Sequence, residues 1–335
     1  MSTKSQLLTY LKARKGRWIS GESLSNILSI SRSAVWKHIN KLRREGYGIE
    51  SFPKKGYRFY HSPDLLLVEE IREGLTTALV GQKDIIYFKE TDSTNLRARD
   101  LADKGAPEGT VVISENQTRG RGRRGRDWFS QVGKGIYASI ILRPSIPPSE
   151  APKIVIMASV AGAETLVREA GVDATIKWPN DLLVNGKKIA GILIEIGSEL
   201  DRIHYLIVGI GLNVNIPADC FPADLKERAT SILVEREIPL SRVHLIRGFL
   251  QWFEYYYDVM QAGRFDEILL RWNHYSDIVG RRVMIDVSGE KYTGVVSHVD
   301  HNGVLVVMDT AGTEQRIFSG DVRIINNGKR RLRRS

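Results

Sequence analysis

Cysteine occurs once in the 335 residues, at Cys220, so an intramolecular disulfide is excluded, and no cluster of Cys and His has the spacing of a zinc site. A reducing compartment fits that usage. Long apolar runs are missing as well. Met1-Ser2-Thr3-Lys4 opens without an apolar signal segment, and runs such as Ile189–Ile196 fall far short of a membrane span. A soluble, cytoplasmic protein that makes no use of a membrane is therefore expected. The length exceeds that of a usual single domain, so two or three domains are expected, and with 42% hydrophobic residues the chain can bury a sizeable core.

Charge is present in excess and unevenly held. The formal net charge is +10; residues 1–62 carry 13 Lys and Arg against 3 Asp and Glu, residues 329–335 add 5 Lys and Arg, and the stretch between has 31 against 36. A small basic segment on an acidic body is the electrostatic footprint of a nucleic-acid binder, with a solubilising surface as the alternative.

Inside residues 1–62 the apolar periodicity predicts three helices. Gln6–Ala13 carries Leu7, Leu8 and Leu11; Ser20-Gly21-Glu22-Ser23 opens a second helix with Leu24, Ile27 and Leu28; Ser31 caps a third, with Val35, Ile39 and Leu42 on its inner face, that ends at Gly46. A tight turn before a basic third helix suits docking in the major groove of double-stranded DNA, where the start of the helix meets base edges. Arg32, Ser33 and Lys37 are the candidate contacts. Trp36 lies outside the inner stripe, and partial packing against a neighbouring helix is its plainer reading. Ile49–Phe52 and Tyr57–Tyr60 form a hairpin around Lys54-Lys55-Gly56, read either as a basic DNA-binding wing or as an ordinary exposed turn. Pro63 ends the pattern, so this winged helix-turn-helix domain is bounded at 1–62.

The most distinctive stretch is Gly120–Arg126, Gly-Arg-Gly-Arg-Arg-Gly-Arg. Its glycines admit a ligand to the main chain, and its four arginines offer forks of donors to anionic oxygen. A disordered Arg-Gly tail is disfavoured because Val111–Ile113 and Ile136–Leu142 read as flanking strands. The dinucleotide fingerprint that Gly120, Gly122 and Gly125 formally match should open a helix, and Asp127-Trp128-Phe129-Ser130 does not. A solvated basic turn stays open as a third reading. Around the loop, residues 65–276 alternate helices and strands without a repeat: a strand at Ile85–Phe88, helices at Asn95–Asp103 and Pro152–Ala170, strands at Ala174–Lys177, Ile189–Ile196 and Tyr205–Ile210, and a helix at Arg242–Gln261. Asn185-Gly186 marks a hairpin turn.

Asp92-Ser93-Thr94-Asn95, Gln117 with Gly120–Arg126, Lys177-Trp178-Pro179-Asn180-Asp181, Lys188-Ile189-Ala190-Gly191 and Gly209-Ile210-Gly211-Leu212-Asn213 follow one another in this order. Together they resemble a biotin protein ligase, and the helix-turn-helix makes the chain similar to the bifunctional kind that also represses biotin synthesis. The similarity spans essentially the whole chain. It implies an α/β fold with a central mixed sheet like that of class II synthetases. It implies an ATP-dependent reaction through biotinyl-5′-AMP, with biotin passed to a lysine of the biotin carboxyl carrier domain of a biotin-dependent carboxylase. Magnesium is implied only as the partner of ATP, and no resident metal is assigned. The further partners implied are operator DNA and a second copy of the chain in a ligand-promoted homodimer. A lipoate ligase and a ligand-sensing transcription factor without turnover are the rival readings.

The same resemblance implies roles for single residues. Lys188 and Arg123 are the catalytic pair, Lys188 on carboxylate and phosphate oxygens and Arg123 on phosphate and the adenylate. Ser93, Thr94, Asn95 and Gln117 match residues that hold biotin, Gly120 and Arg121 close over it, and Gly209 and Gly211 let it lie against the backbone. Trp128, Asn180, Asp181 and Asn213 match the adenylate side. Trp128 could equally be core packing, Asp181 a structural cap, and Arg124 and Arg126 could order the loop by surface pairs. Residues 277–326 break into five short strands, Arg282–Asp286, Tyr292–Val299, Val304–Met308, Thr313–Phe318 and Val322–Ile325, with turns at Ser288-Gly289, Asn302-Gly303 and Ala311-Gly312; these suit a C-terminal SH3-like barrel. Residues 327–335 form a basic tail.

Overall fold

The computed structural model describes residues 2–199, 202–287 and 289–325. The basic tail at 327–335 and Ser288 of the Ser288-Gly289 turn lie outside the described residues. The chain divides into two units, 1–65 and 66–335.

In the first unit α1 (Thr3–Lys12), α2 (Gly21–Leu28) and α3 (Arg32–Arg44) each begin behind a serine, Ser2, Ser20 and Ser31, whose side chain accepts a hydrogen bond from an amide in the first turn. That removes one of the four orphan donors at each helix start. Leu7, Leu8, Leu11, Leu24, Val35, Ile39 and Leu42 are all buried, as the 3.6-residue period requires. Strands β1 (Trp18–Ile19), β2 (Gly48–Phe52) and β3 (Gly56–His61) form an antiparallel sheet in the order β1-β3-β2. Lys54 takes the left-handed conformation at the tip of the β2–β3 hairpin.

The second unit opens with α4 (Val68–Arg72) and β4 (Ile85–Phe88), then α5 (Thr94–Asp103), β5 (Val111–Ser114), β6 (Gly135–Leu142) and α6 (Ala151–Glu164). The long helix expected to Ala170 is α only to Glu164 and passes into a π turn at Thr165–Glu169. The Thr165 hydroxyl donates to the carbonyl of Ala161, a local competitor of the helical ladder. Strands β7 (Thr175–Lys177), β8 (Asp181–Val184), β9 (Lys187–Glu199) and β10 (Arg202–Asn213) follow, then helices α7 (Ile232–Arg236), α8 (Arg242–Gln261) and α9 (Phe265–Tyr275). The sheet runs β4-β5-β6-β10-β9-β8-β7, with β4 and β5 parallel and the other pairs antiparallel.

Alternation sorts this sheet into two faces. Leu206, Val208, Ile210 and Leu212 of β10, with Ile136, Ala138 and Ile140 of β6, point into the large core shared with α6, α8 and α9. On the other face Val112, Ile141 and Ile207 pack on Ala98 and Ala102 of α5. Gly209 and Gly211 alternate with core residues of β10, so both fall on the α5 face, where they leave a recess. Beyond the helices, β11 (Arg282–Val287), β12 (Glu290–Val299), β13 (Leu305–Asp309), β14 (Glu314–Ile317) and β15 (Asp321–Ile324) make a second antiparallel sheet in the order β14-β13-β12-β11-β15. Its residues Val283, Ile285, Val296, Leu305 and Val307 join the large core.

Candidate active site

A cleft opens over the glycines of β10. Its walls take Ser93, Thr94 and Asn95 from the start of α5, Gln117 and residues 121–123 from the Arg-Gly loop, and Asn180, Asp181 and Lys188 from β8, β9 and their approach.

Lys188 reaches this cleft through an irregularity in the sheet. On β9, strict alternation would place Lys188 on the same face as Ala190 and Ile192, which are buried in the core. Leu182 pairs with Ala190 but Leu183 pairs with Lys188, so Ile189 is an extra residue, a β-bulge. The bulge reverses the phase and turns Lys188 to the face of Gly191 and Asp181. There its ammonium lies 2.6 Å from Asp181 Oδ1 and 5.2 Å from the centre of the Trp128 ring. Asp181 thus pairs with an amine instead of capping a turn. The lysine's backbone is held as well, its N–H by Arg228 O at 2.8 Å and its carbonyl by Thr230 N at 2.9 Å.

The Arg-Gly loop is a tight turn in its own right. Gly122 N–H donates to Arg126 O at 2.7 Å, Trp128 N–H to Gly120 O at 2.8 Å, and Arg124 and Gly125 both take positive φ. Arg123 points inward, donating to Asn180 Oδ1 at 3.1 Å and to the carbonyl of Gly320 at 3.4 Å. Burial lowers its guanidinium from the ordinary arginine range, with Asp321 and Asp181 opposing the shift. Arg124 and Arg126 go elsewhere: Arg124 donates to Asp286 O at 2.9 Å, and Arg126 pairs with the carboxylate of Asp321. Burial works against ionisation of Asp321, but Arg126, Arg124 and Arg123 together hold its carboxyl below the usual range. The second sheet therefore supplies counter-charge for Arg123, Arg124 and Arg126 of the run.

Trp128 folds back from the loop into the cleft. A Cβ at Gly211 would overlap its indole, and one at Gly191 would sit 2.9 Å from its Cζ3, so both glycines are required by the ring's position. At Gly209 a Cβ would overlap the Asn95 carboxamide instead. The recess over β10 is lined in this state by Trp128 and Asn95. Asn180 is fixed by Nδ2 to Ile192 O at 2.6 Å and by its own carbonyl, which accepts Ile192 N–H at 2.9 Å. At the opposite end Gln117 Oε1 accepts from Thr94 N–H at 2.9 Å and Thr94 Oγ1 at 3.1 Å. Asp92 lies beneath and accepts from Ser93 N–H at 2.7 Å and from Arg97; the Arg97 hydrogen bonds draw its carboxyl well below the usual carboxylate range.

Two expected residues do not line this cleft. Asn213 is buried and its Nδ2 donates to Thr230 O at 3.0 Å, so its amide ties β10 to the segment that flanks Lys188. Gly120 is buried behind the carbonyl of Trp128 and the side chain of Gln117; it gives the loop room to cross. The sequence reading missed Asp321 and Asp286, whose partners lie far along the chain, and also Glu195 and Ser139. For Glu195 a signal existed, since Gly191, Leu193 and Glu195 alternate on one face. In the first unit Arg32, Ser33 and Lys37 are exposed on α3, and Lys54 and Lys55 on the hairpin turn. Trp36 is 57% exposed on α3.

A mixed sheet with a lysine, an arginine and an asparagine converging over paired glycines, joined to a helix-turn-helix unit, defines a protein-ligase catalytic domain coupled to a DNA-binding unit. Comparison with known proteins agrees. Residues 87–213 match the Biotin/lipoate A/B protein ligase family and residues 3–58 an HTH domain. The chain is 40% identical over 321 residues to the bifunctional ligase/repressor BirA of Bacillus spizizenii, covering 96% of this chain and 98% of that one. It is 29% identical over 293 residues to that of Escherichia coli, covering 87% and 88%. Among solved structures it resembles the biotin protein ligase of Aquifex aeolicus in complex with biotin and ATP, with a TM-score of 0.63 and 27% identity over 72% of this chain and all of that one. The chain belongs to the family of bifunctional biotin ligase/repressors.

Proposed function

We propose that the cleft activates biotin with ATP and passes it to a lysine of the biotin carboxyl carrier domain of a biotin-dependent carboxylase. The biotin carboxylate attacks the α-phosphate, pyrophosphate leaves, and the biotinyl-5′-AMP formed is opened by the carrier amine with release of AMP. Both steps gather negative charge on oxygen, so fixed cations lower their barriers. Lys188 is the cation for the carboxylate and phosphate oxygens, Asp181 orients its ammonium, and Arg123 holds the phosphate from the loop side. Ser93, Thr94, Asn95 and Gln117 serve the biotin end and Asn180 the nucleotide end, while Trp128 leaves the recess to cover the ligand. Magnesium arrives with ATP as its counter-ion. The observation that carries the reading is the bulge at Ile189, which brings the Lys188 ammonium onto the glycine-floored face. Full-length protein with magnesium-ATP should release pyrophosphate with biotin and not with lipoate. Release with lipoate instead would make it a lipoate ligase, and release with neither would make it a sensor.

For the DNA-binding unit we infer that operator DNA is bound by a dimer and that biotinyl-5′-AMP is the corepressor. Helix-turn-helix proteins gain affinity by placing two copies on two half-sites, and a loop ordered around the adenylate can enter a subunit interface without losing further entropy there. Sedimentation and operator binding should both strengthen with adenylate more than with biotin, and unliganded carrier protein should reverse both. Unchanged dimer fraction and operator affinity across these additions would refute the coupling.

A further inference from the structure

The side chains around Gly209 on the cleft face form one connected polar circuit. Arg121 Nη1 lies 3.0 Å from Glu195 Oε1, and the other oxygen of the same carboxylate accepts from Asn95 Nδ2 at 2.8 Å. Asn95 Oδ1 accepts from the Ser139 hydroxyl at 2.6 Å, and Ser139 Oγ lies 2.8 Å from Thr94 Oγ1. Thr94 in turn holds Gln117. Asn95, Ser139 and Thr94 are buried. Gln117 and Arg121 are the two shoulders of the loop on either side of Gly120, so the circuit begins and ends on the same short segment.

We propose that Glu195 is a positioning residue for the ligase reaction: its carboxylate holds Arg121 over the cleft and fixes the Asn95 amide, tying the moving shoulder of the loop to the residues of the biotin end. The inference rests on the site reading above. A carboxylate is suited to the task because it accepts at both oxygens, and a hydrogen bond to a charged partner is shorter and stronger than a neutral one. Its two oxygens face two different elements, the loop and α5. When Arg121 stays on Glu195, the loop stays over the adenylate; when that pair opens, the mixed anhydride is exposed to water and to escape.

Glu195→Gln separates this role from a structural one. The glutamine keeps the shape and can still accept from Asn95, but it offers Arg121 no charge. Measured on full-length protein, dissociation of preformed biotinyl-5′-AMP should quicken about tenfold, the scale of one charge-assisted hydrogen bond at a half-exposed site. KM for biotin should rise with it, while KM for ATP and the single-turnover rate of adenylation at saturating biotin stay within about twofold of wild type, as expected when binding is lost and transition-state contacts are kept. Arg121→Gln, on an exposed loop that needs no core repacking, should give the same acceleration, and the double variant should be no faster than either single one. Additive effects in the double variant would overturn the proposal. So would wild-type adenylate residence in Glu195→Gln, or a lowered Tm as its only change. Wild-type pyrophosphate release with biotin is recorded in the same assay; its absence would refute the site reading itself, and the Glu195 proposal would fall with it by a separate result.

Discussion

Replacing Gly209 with alanine tests the packing beneath the cleft most directly. The new methyl would lie far inside the 3.0 Å approach that real side chains respect, against the Asn95 carboxamide. Overpacking of this kind costs about 1–3 kcal/mol. The carboxamide cannot swing aside freely, because Ser139 holds its oxygen and Glu195 its nitrogen. Displacing it weakens a neutral hydrogen bond worth ~1 kcal/mol and a charge-assisted one worth ~1.5–3 kcal/mol. The smaller outcome, strain shared between backbone and amide, gives a loss of about 3 kcal/mol. At the per-residue unfolding entropy of globular proteins, a unit of this size shifts by about 2 °C per kcal/mol, so the transition of residues 66–335 should fall by about 6 °C. Biotin affinity should fall with it. Removing the obstruction gives the control: in Gly209→Ala/Asn95→Ala the methyl has space, and the double variant should be more stable than the sum of the two single losses by ~1–2 kcal/mol. Calorimetry of the four proteins, with biotin titrations, completes the cycle. A Gly209→Ala protein melting within a degree of wild type, or strict additivity in the cycle, would refute the argument.

Lys188→Ala should keep the fold yet slow adenylate formation ~10²-fold or more, the loss typical of one charge stabiliser at a reacting oxygen; single-turnover pyrophosphate release measures it, and a near-normal rate would sink the assignment. Trp36→Ala should weaken operator binding by ~1–3 kcal/mol, the range of one base-edge contact, with Tm and ligase activity unchanged, because the indole stands open to solvent; anisotropy titration of labelled operator reads it, and unaltered affinity would return Trp36 to a bystander. Tyr137 is buried against Gln131, and burial pushes its phenol up to about 12. A folded-state value raised above the unfolded one stabilises fully below pH ~10 and loses that contribution as pH climbs toward the folded value, so denaturant midpoints should steepen downward over that window by up to ~2–3 kcal/mol. Tyr137→Phe should lack that steepening, and identical pH slopes would contradict it.

Much of the fold could be read before the coordinates, and what could not has physical causes. The three serine-capped helices of the first unit and α8 carry start signals and clear apolar stripes, so their limits lie within a few residues of the observed ones. Helix α9 was not foreseen: it starts at Phe265 behind Arg264, which makes no side-chain capping bond, so only Asp266 and Glu267 in its first turn announce it. Helices α4 and α7 have five residues each, too few to show a period. At the site, the family resemblance carried by five motifs in order pointed to Lys188, Arg123, Asn180 and Thr94, which the structure gathers around one cleft. The surroundings of those residues were hidden. Asp321 meets Arg126 across 195 positions of chain, and no local pattern records such a pairing. Asn213 misled for the opposite reason, since it shares a motif with Gly211 but faces the backbone of Thr230.

The bulge at Ile189 has a consequence for how this chain can change. Along a strand, a side chain's destination depends on whether the count from a reference residue is odd or even, much as a reading frame depends on a count of three. Between Lys188 and Gly191 the bulge absorbs one residue, so a position that a plain count assigns to the oily layer beneath α6 stands in the wet cleft. Removing Ile189 would close the bulge and leave Lys188 two places from Gly191, still on the cleft side, whereas keeping Ile189 in a regular ladder would send the ammonium to the wrong side of the sheet. The lysine's chemistry is thus written partly in a spacing, and a gain or loss of one residue that the bulge does not absorb would act like a frameshift confined to a single strand.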